Sequence, residues 1–346
     1  MADRPIIATE LLKGQGLGNQ LFCYVTTRCI AMRNGCDYSI LGAETLANNI
    51  HSQCGLYFMD LKLGAPTRKE DFEKLYNEKE DRLFVPNSKH DIEHGCYISG
   101  ADSKLLSLSG PVLVYGNMQA EAYFGKYKNE IREWLKVKPE YDNYEYSREN
   151  LCIINIRGGE YTSSPELFLR RKYWLDAMKA MKKIRGDMEF MVVTDDLAAA
   201  RRILPEVKAY HFDLAGDYTV IKNAHYLILS NSTFAFFPAF TSTTVKYVIA
   251  PKYWARHNVS DGYWASEQNI YSNFMYMDRK GRLFTAEQCR QELAEYKRTS
   301  VKYKRIGVRL SGNELLIAKV RSKSLIYSDL FIRMLRSAKR RLGIKR

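Results

Sequence analysis

The chain has few cysteines, and they are badly placed for cross-linking. Seven lie among 346 residues, an odd number at 23, 29, 36, 54, 96, 152 and 289, with no Cys-x-x-Cys pair. That usage argues against a disulfide framework and against a zinc site, and it fits a reducing, cytoplasmic setting. No uninterrupted apolar run approaches the ~20 residues needed to span a bilayer. Residues 1–10 are polar and charged, which is not the pattern of a secretory signal. His51, His90 and His94 show no metal-ligand spacing. Acidic residues are scarce in one region only: residues 297–346 hold 16 Lys and Arg against Glu314 and Asp329, while the remainder is balanced, 37 basic against 37 acidic. The body of the protein therefore needs no polyanionic partner, and any such need lies in the last fifty residues.

The common nucleotide fingerprints are missing as well. Residues 6–13 read as a strand, Gly14-Gln15-Gly16-Leu17-Gly18-Asn19-Gln20 as the turn after it, and residues 21–33 as a helix stopped by Asn34-Gly35. This layout aims backbone N–H groups at an anion. Asn19 nevertheless stands where a dinucleotide motif needs glycine, and the Gly-Lys-Ser/Thr of a P-loop is absent. Asp37 falls at the start of the next strand, not at its end, where a ribose-binding acid would be. A tight turn with Asn19 as helix cap is the simpler structural account of the loop.

What is present is organised around Leu151-Cys152-Ile153-Ile154-Asn155-Ile156-Arg157-Gly158-Gly159-Glu160-Tyr161. The apolar, β-branched start reads as a strand buried on both faces, as in a parallel sheet, and such sheets bind ligands beyond their carboxyl ends. Arg157 sits at that end. A guanidinium there grips a phosphate through two parallel hydrogen bonds, or simply pairs with Glu160.

From here the chain alternates strands and helices. Strands are expected at residues 189–193, 207–212, 226–229 and 246–250, and helices at 172–184, 217–224 and 234–240. That rhythm predicts an α/β fold with a doubly wound parallel sheet. Residues 67–91 read as charged helix and loop, residues 111–115 as a strand, and 140–150 as a linker. Three strand ends converge on one edge: Arg157 with Glu160, Asp195 with Asp196, and Ser232 with Thr233 at a helix start. Asp195 or Asp196 is expected to cap the next helix and not to chelate a metal. The hydroxyls and free N–H groups at Ser232–Phe234 suit a phosphate.

Several stretches together resemble glycosyltransferase family 11, the α-1,2-fucosyltransferase-like family. Its Gly-Gly-Leu-Gly-Asn-Gln-x-Phe is matched from Gly16 to Phe22, with Gln15 for the first glycine. Its Gly-x-x-Gln-x-x-x-Tyr-Phe is matched by Gly116, Gln119, Tyr123 and Phe124, and its Asn-Ser-Thr-Phe by Asn231, Ser232, Thr233 and Phe234. The family's His-x-Arg-Arg-Gly-Asp-Tyr departs most: Asn155 replaces the His, Arg157 is the first Arg, Gly158 replaces the second, and Glu160 replaces the Asp before Tyr161. The loss of one donor-gripping charge leaves the donor sugar open.

The resemblance implies a GT-B-like fold of two Rossmann-like domains facing a cleft. The expected divisions are an acceptor-side domain at 1–145, a nucleotide-sugar domain at 146–295 and a basic amphipathic tail at 296–346. It implies an inverting glycosyltransferase without metal or other cofactor, moving fucose from GDP-fucose to a glycan hydroxyl. The acceptor would be an oligosaccharide or a lipid-linked glycan. Arg157 is expected to stabilise the departing phosphate, with Glu160 as base. Gly16, Gly18, Asn19, Gln20, Asn155, Gly158, Tyr161, Asp195, Asn231, Ser232, Thr233 and Phe234 are expected around the donor.

Residues 323–342 carry apolar positions at 3–4 spacing among Arg and Lys, the pattern of a helix lying on an anionic membrane face or packing on the body. The chain would then sit in the cytoplasm, peripheral on the inner face of the plasma membrane. Another nucleotide sugar in the same fold is the main alternative. A nucleic-acid-binding protein is disfavoured by the neutral body, and a dehydrogenase by Asn19 and Asp37.

Overall fold

A computed structural model describes residues 4–43, 57–79, 82–83, 97–98, 100–163, 167–252 and 267–299, with seven further helical positions between 312 and 334. Most of the basic segment at 296–346, including nearly all of the amphipathic helix expected at 323–342, lies outside the described residues.

The first sheet is built from β1 (Ile6–Glu10), β2 (Asp37–Leu41), β3 (Leu75–Asn77) and, after the small antiparallel pair β4 (Arg82–Leu83) and β5 (Tyr97–Ile98), β6 (Val112–Tyr115). Its order is β2-β1-β6-β3 and every pairing is parallel. The second sheet takes β7 (Leu151–Ile156), β8 (Glu189–Thr194), β9 (Ala209–Tyr210), β10 (Tyr226–Leu229), β11 (Tyr247–Pro251), β12 (Met275–Met277) and β13 (Leu283–Thr285) in the order β13-β12-β11-β10-β7-β8-β9. Only its β12–β13 edge is antiparallel. All six residues of β7 are buried, as a central strand covered on both faces requires.

The glycine turn after β1 is shorter than its sequence suggests. Helix α1 runs from Leu17 to Arg33, so Gly18, Asn19 and Gln20 belong to its first turn and Gly16 is its cap. Asn19 is thus not the cap. Thirteen of the helix's 17 residues are buried, because it is enclosed by its own sheet on one side and by the second half of the chain on the other. Such a helix carries no amphipathic signal to mark its start.

In the second half, α2 (Arg171–Ile184), α3 (Leu197–Ile203), α4 (Leu214–Lys222) and α5 (Phe236–Thr241) follow β7, β8, β9 and β10. Asp213 caps α4 through the Gly216 N–H at 2.7 Å, which sets its start at Leu214 and not at Asp217. Residues 69–77, expected as helix and loop, form a single 3-10 turn and then β3. The strand at 246–250 does not close the set: β12 and β13 follow, and α6 (Ala286–Thr299) covers them. A reciprocal capping box starts α6, with Gln288 N–H donating to Thr285 Oγ1 at 3.1 Å and Thr285 N–H to Gln288 Oε1 at 2.8 Å.

One core runs through both halves. Phe22 of α1 stacks on Phe236 of α5 with ring centroids 4.9 Å apart, and Phe124, Phe237 and Tyr271 close around it. This aromatic seam holds the carboxyl-end loops of the two sheets against each other.

Candidate functional site

The strand ends of the second sheet bring their polar residues together. Arg157, just past β7, reaches Asp195, just past β8, with Nη1 2.6 Å from Oδ2; its Nη2 lies 3.1 Å from Glu160 Oε1. Burial works against the guanidinium's charge, but the two carboxylates beside it outweigh that and raise its pKa. The backbone joins the same cluster, with Gly158 N–H donating to Asp195 Oδ1 at 2.7 Å and Gly159 N–H to Asp196 Oδ2 at 3.3 Å. Asp196 also caps α3, accepting from Ala199 N–H at 2.9 Å. Of the acidic pair, then, Asp196 is the helix cap and Asp195 is the partner of Arg157.

This packing accounts for Gly158. A Cβ there would overlap the Cβ of Asp196, so no side chain fits without moving the cap. Gly159 lies at φ 48°, the left-handed region that glycine takes without strain.

The Asn231–Phe234 stretch stands beside this cluster. The Arg157 guanidinium lies 5.7 Å from the centre of the Tyr161 ring, and Tyr161 donates its hydroxyl to the Asn231 carbonyl at 3.4 Å. Asn231 is buried; its Nδ2 donates to the Leu167 carbonyl at 3.0 Å. Ser232 Oγ accepts from Phe234 N–H at 3.3 Å and shapes a 3-10 turn over Thr233–Ala235. Tyr173 donates to the Leu229 carbonyl at 2.7 Å and pins the end of β10.

The first sheet supplies the facing wall. A Cβ on Gly18 would run into the Thr233 carbonyl group and the Phe234 nitrogen, so the start of α1 lies directly on the Thr233–Phe234 turn. Gly16 is exposed. Asn19 is half-buried and accepts from Gln119 Nε2 at 3.2 Å.

Two expected donor residues are buried within the scaffold. Gln20 is 2% exposed, and its amide bonds back to the Gln15 carbonyl at 2.8 Å. Asn155 is 5% exposed, with Nδ2 on the Val193 carbonyl at 3.4 Å and Oδ1 accepting from Ser230 Oγ at 3.3 Å. Both hold the scaffold together from within. In β7 the side chains alternate, so Asn155 and Arg157 share a face, but only the residue past the strand end clears the sheet.

Other polar groups escape sequence reasoning. Asp217 is buried in α4, with Oδ1 on Phe212 N–H and Oδ2 facing His211 Nδ1, each at 2.9 Å. Burial raises its pKa to about 6 and the charge of Asp195 adds to this, against the opposing effect of its two hydrogen-bond partners. An acid inside an otherwise apolar stretch was the available signal. Glu78, beyond β3, is half-buried, and desolvation raises its pKa; it accepts from Met118 N–H and the Tyr123 hydroxyl, both at 2.8 Å.

Among known proteins, the family model described as Glycosyl transferase family 11 matches residues 63–278. The match begins after the Gly16–Phe22 stretch and includes the other three motifs. A curated alpha-1,2-colitosyltransferase of Escherichia coli is 26% identical over 167 residues, 43% of this chain and 58% of that protein. The chain therefore covers less than two thirds of that relative's length. A solved NodZ alpha-1,6-fucosyltransferase soaked with GDP-fucose is 10% identical, with TM-score 0.40 over 71% of this chain and 94% of its own. An E. coli heptosyltransferase, WaaC with ADP, is 8% identical, with TM-score 0.38 over 84% and 99%. Those scores are low, and the two-sheet fold rests on the strand orders themselves.

Proposed function

Because the chain belongs to glycosyltransferase family 11, we propose that it transfers fucose from GDP-fucose to a hydroxyl of a glycan acceptor, a galactoside 2-OH in this reading. The observation that carries the proposal is Arg157, fixed by Asp195 at the carboxyl end of β7, where parallel sheets bind their ligands. The acceptor hydroxyl attacks the anomeric carbon in line, inverting it, and the nucleoside diphosphate leaves. Negative charge then grows on the diphosphate. Arg157 and the N–H groups at Ser232–Phe234 would receive it, with no metal or other cofactor required. Asp195 keeps the guanidinium aimed, and Tyr161 and Asn231 hold the strand-end loop beside it.

The start of α1 would close the donor site from the other side. No side chain caps this helix and its first turn holds no acidic residue, so its free N–H groups favour an anion. Glu160, exposed at the rim beside Arg157, is the base in this reading.

A thermal-shift panel of GDP, UDP, ADP, CMP, dTDP and GDP-fucose, with and without EDTA, tests the donor. Stabilisation by GDP and GDP-fucose alone, unchanged by EDTA, is expected. A response to a different nucleotide would overturn the GDP assignment. Transfer assays with fucose and colitose donors then decide between the two sugars, the second being favoured by the colitosyltransferase relative.

Of a free and a lipid-linked acceptor, the basic residues of 323–346 favour the second. No helix among the described residues is long and apolar enough to cross a membrane. Tyr327 and Met334, helical and more than 60% exposed, instead fit a segment lying on an anionic surface from the cytoplasmic side. Flotation with anionic liposomes should require residues 321–346. Equal flotation of a chain ending at 320 would remove the membrane from this account.

A further inference from the structure

Three carboxamides form a directed row between the two sheets. Asn269, from the 3-10 turn Glu267–Asn269 after β11, donates Nδ2 to Gln119 Oε1 at 3.4 Å. Gln119, after β6, donates Nε2 to Asn19 Oδ1 at 3.2 Å. Asn269 and Gln119 are 5% and 9% exposed, whereas Asn19 is half-buried, and its Nδ2 has no partner among the described residues. The row therefore runs from the interior to an open donor.

The row has a single sense because a carboxamide's two ends have nearly the same shape and opposite hydrogen-bonding character. Left to itself, Asn19 could turn either end outward. A donor at Gln119 removes that choice, and Asn269 in turn fixes Gln119.

The support under Gln119 is unusually firm. Met118, just before it, lies at φ 51°, a left-handed conformation that a side chain of this size rarely adopts. Glu78 Oε2 holds the Met118 N–H at 2.8 Å, and Thr26 Oγ1 donates to the Met118 carbonyl at 2.8 Å. Glu78 Oε1 accepts from Tyr123 and, at 3.2 Å, from Gln268 Nε2, next to Asn269. Gly116 leaves room for Glu78, because a Cβ there would overlap that side chain. The Gly116, Gln119, Tyr123 motif is thus one device, and its outlet is Asn19.

We propose that Gln119 and Asn269 are positioning residues that orient the Asn19 carboxamide so that its N–H, and not its carbonyl oxygen, meets an oxygen of the donor diphosphate between the two sheets. Asn19 follows Gly18, which touches the Thr233–Phe234 turn, and it lies in the first turn of α1, where the helix favours an anion. The inference rests on the donor site proposed above.

Gln119→Glu and Asn269→Asp are isosteric tests. The carboxylate that Gln119→Glu introduces still accepts from Asn269 but cannot donate, so Asn19 turns its N–H inward and its oxygen toward the phosphate. Asn269→Asp removes the donor to Gln119, which frees the row. Each variant should weaken GDP binding and raise the donor KM by roughly tenfold to a hundredfold, the worth of a hydrogen bond to a charged group. The acceptor KM should change little. Asn19→Ala should show the same loss, and Gln119→Glu should add nothing in that background.

Additive losses, or GDP affinity within about twofold of wild type in both isosteric variants, would overturn the inference while leaving the donor site intact. A rise confined to the acceptor KM would overturn the diphosphate assignment. Wild-type protein that binds no nucleotide of the panel would remove the donor site and this inference together.

Discussion

Arg157 and Asp195 stand past the ends of neighbouring parallel strands, and their side chains meet at 2.6 Å. The pair converts the register of β7 with β8 into a fixed direction for one guanidinium. Neither residue is near the other in sequence, and each alone could be an ordinary surface charge.

Replacing Arg157 by Ala should lower kcat/KM by about 10²–10³-fold, the loss typical of one donor to a developing oxyanion. Arg157→Lys should recover little, because an ammonium lacks the planar fork. Initial-rate measurements decide: retention of more than about a tenth of wild-type activity in Arg157→Ala would remove Arg157 from the mechanism.

Restoring the family's second arginine should fail. Gly158→Arg forces a Cβ into the Cβ of Asp196, and overpacking of this kind costs about 1–3 kcal/mol. The melting temperature should fall without any gain in donor affinity. Gly158→Arg combined with Asp196→Gly should lose less than the two changes added together. A single variant as stable as wild type would show that the Asp196 cap can move.

Gly18→Ala probes the contact between the two walls. Its Cβ meets backbone, the Thr233 carbonyl group, and not a side chain that can swing away. Both stability and nucleotide affinity should drop. An unchanged GDP-induced thermal shift in this variant would count against a donor site shared by α1 and the Thr233–Phe234 turn.

Phe22→Ala opens the aromatic seam and should destabilise the protein by about 3–5 kcal/mol, the usual cost of truncating a buried phenylalanine. Because one core runs through both sheets, calorimetry should show a single transition in wild type. Two separated wild-type transitions would mean that the sheets unfold as independent units.

Asp217 gives a pH signature. Its pKa is raised from 3.8 to about 6, first by burial. The folded state therefore holds this proton more tightly than the unfolded chain does. The resulting stability is fully present below pH 3.8, declines as pH rises through the window to about 6, and is gone above it. Asp217→Asn keeps an acceptor for the Phe212 N–H and removes the titration. Its denaturation midpoint should gain on that of wild type as pH rises through this window. Parallel midpoint curves would refute the shift.

Much of the second sheet was legible in the sequence. Short apolar, β-branched runs separated by helical segments placed β7, β8 and β10 almost to the residue. These signals are local, so one window of sequence contains them. β12 and β13 are three residues each, too short for any periodicity to register, and they exist because β11 offers an edge to pair with.

By itself, the sequence determined the α/β alternation, the family motifs and their order, and the presence of Arg157 at a strand end. Only the tertiary structure decided what those residues do. It turned Asn155 and Gln20 inward, made Asp196 the cap and Asp195 the partner of Arg157, and drew Asn19, Gln119 and Asn269 into one row from three distant segments. The physical reason is that strand and helix propensities act over a few neighbours. The direction of a polar side chain is set by partners that arrive only when the two sheets close on their common core.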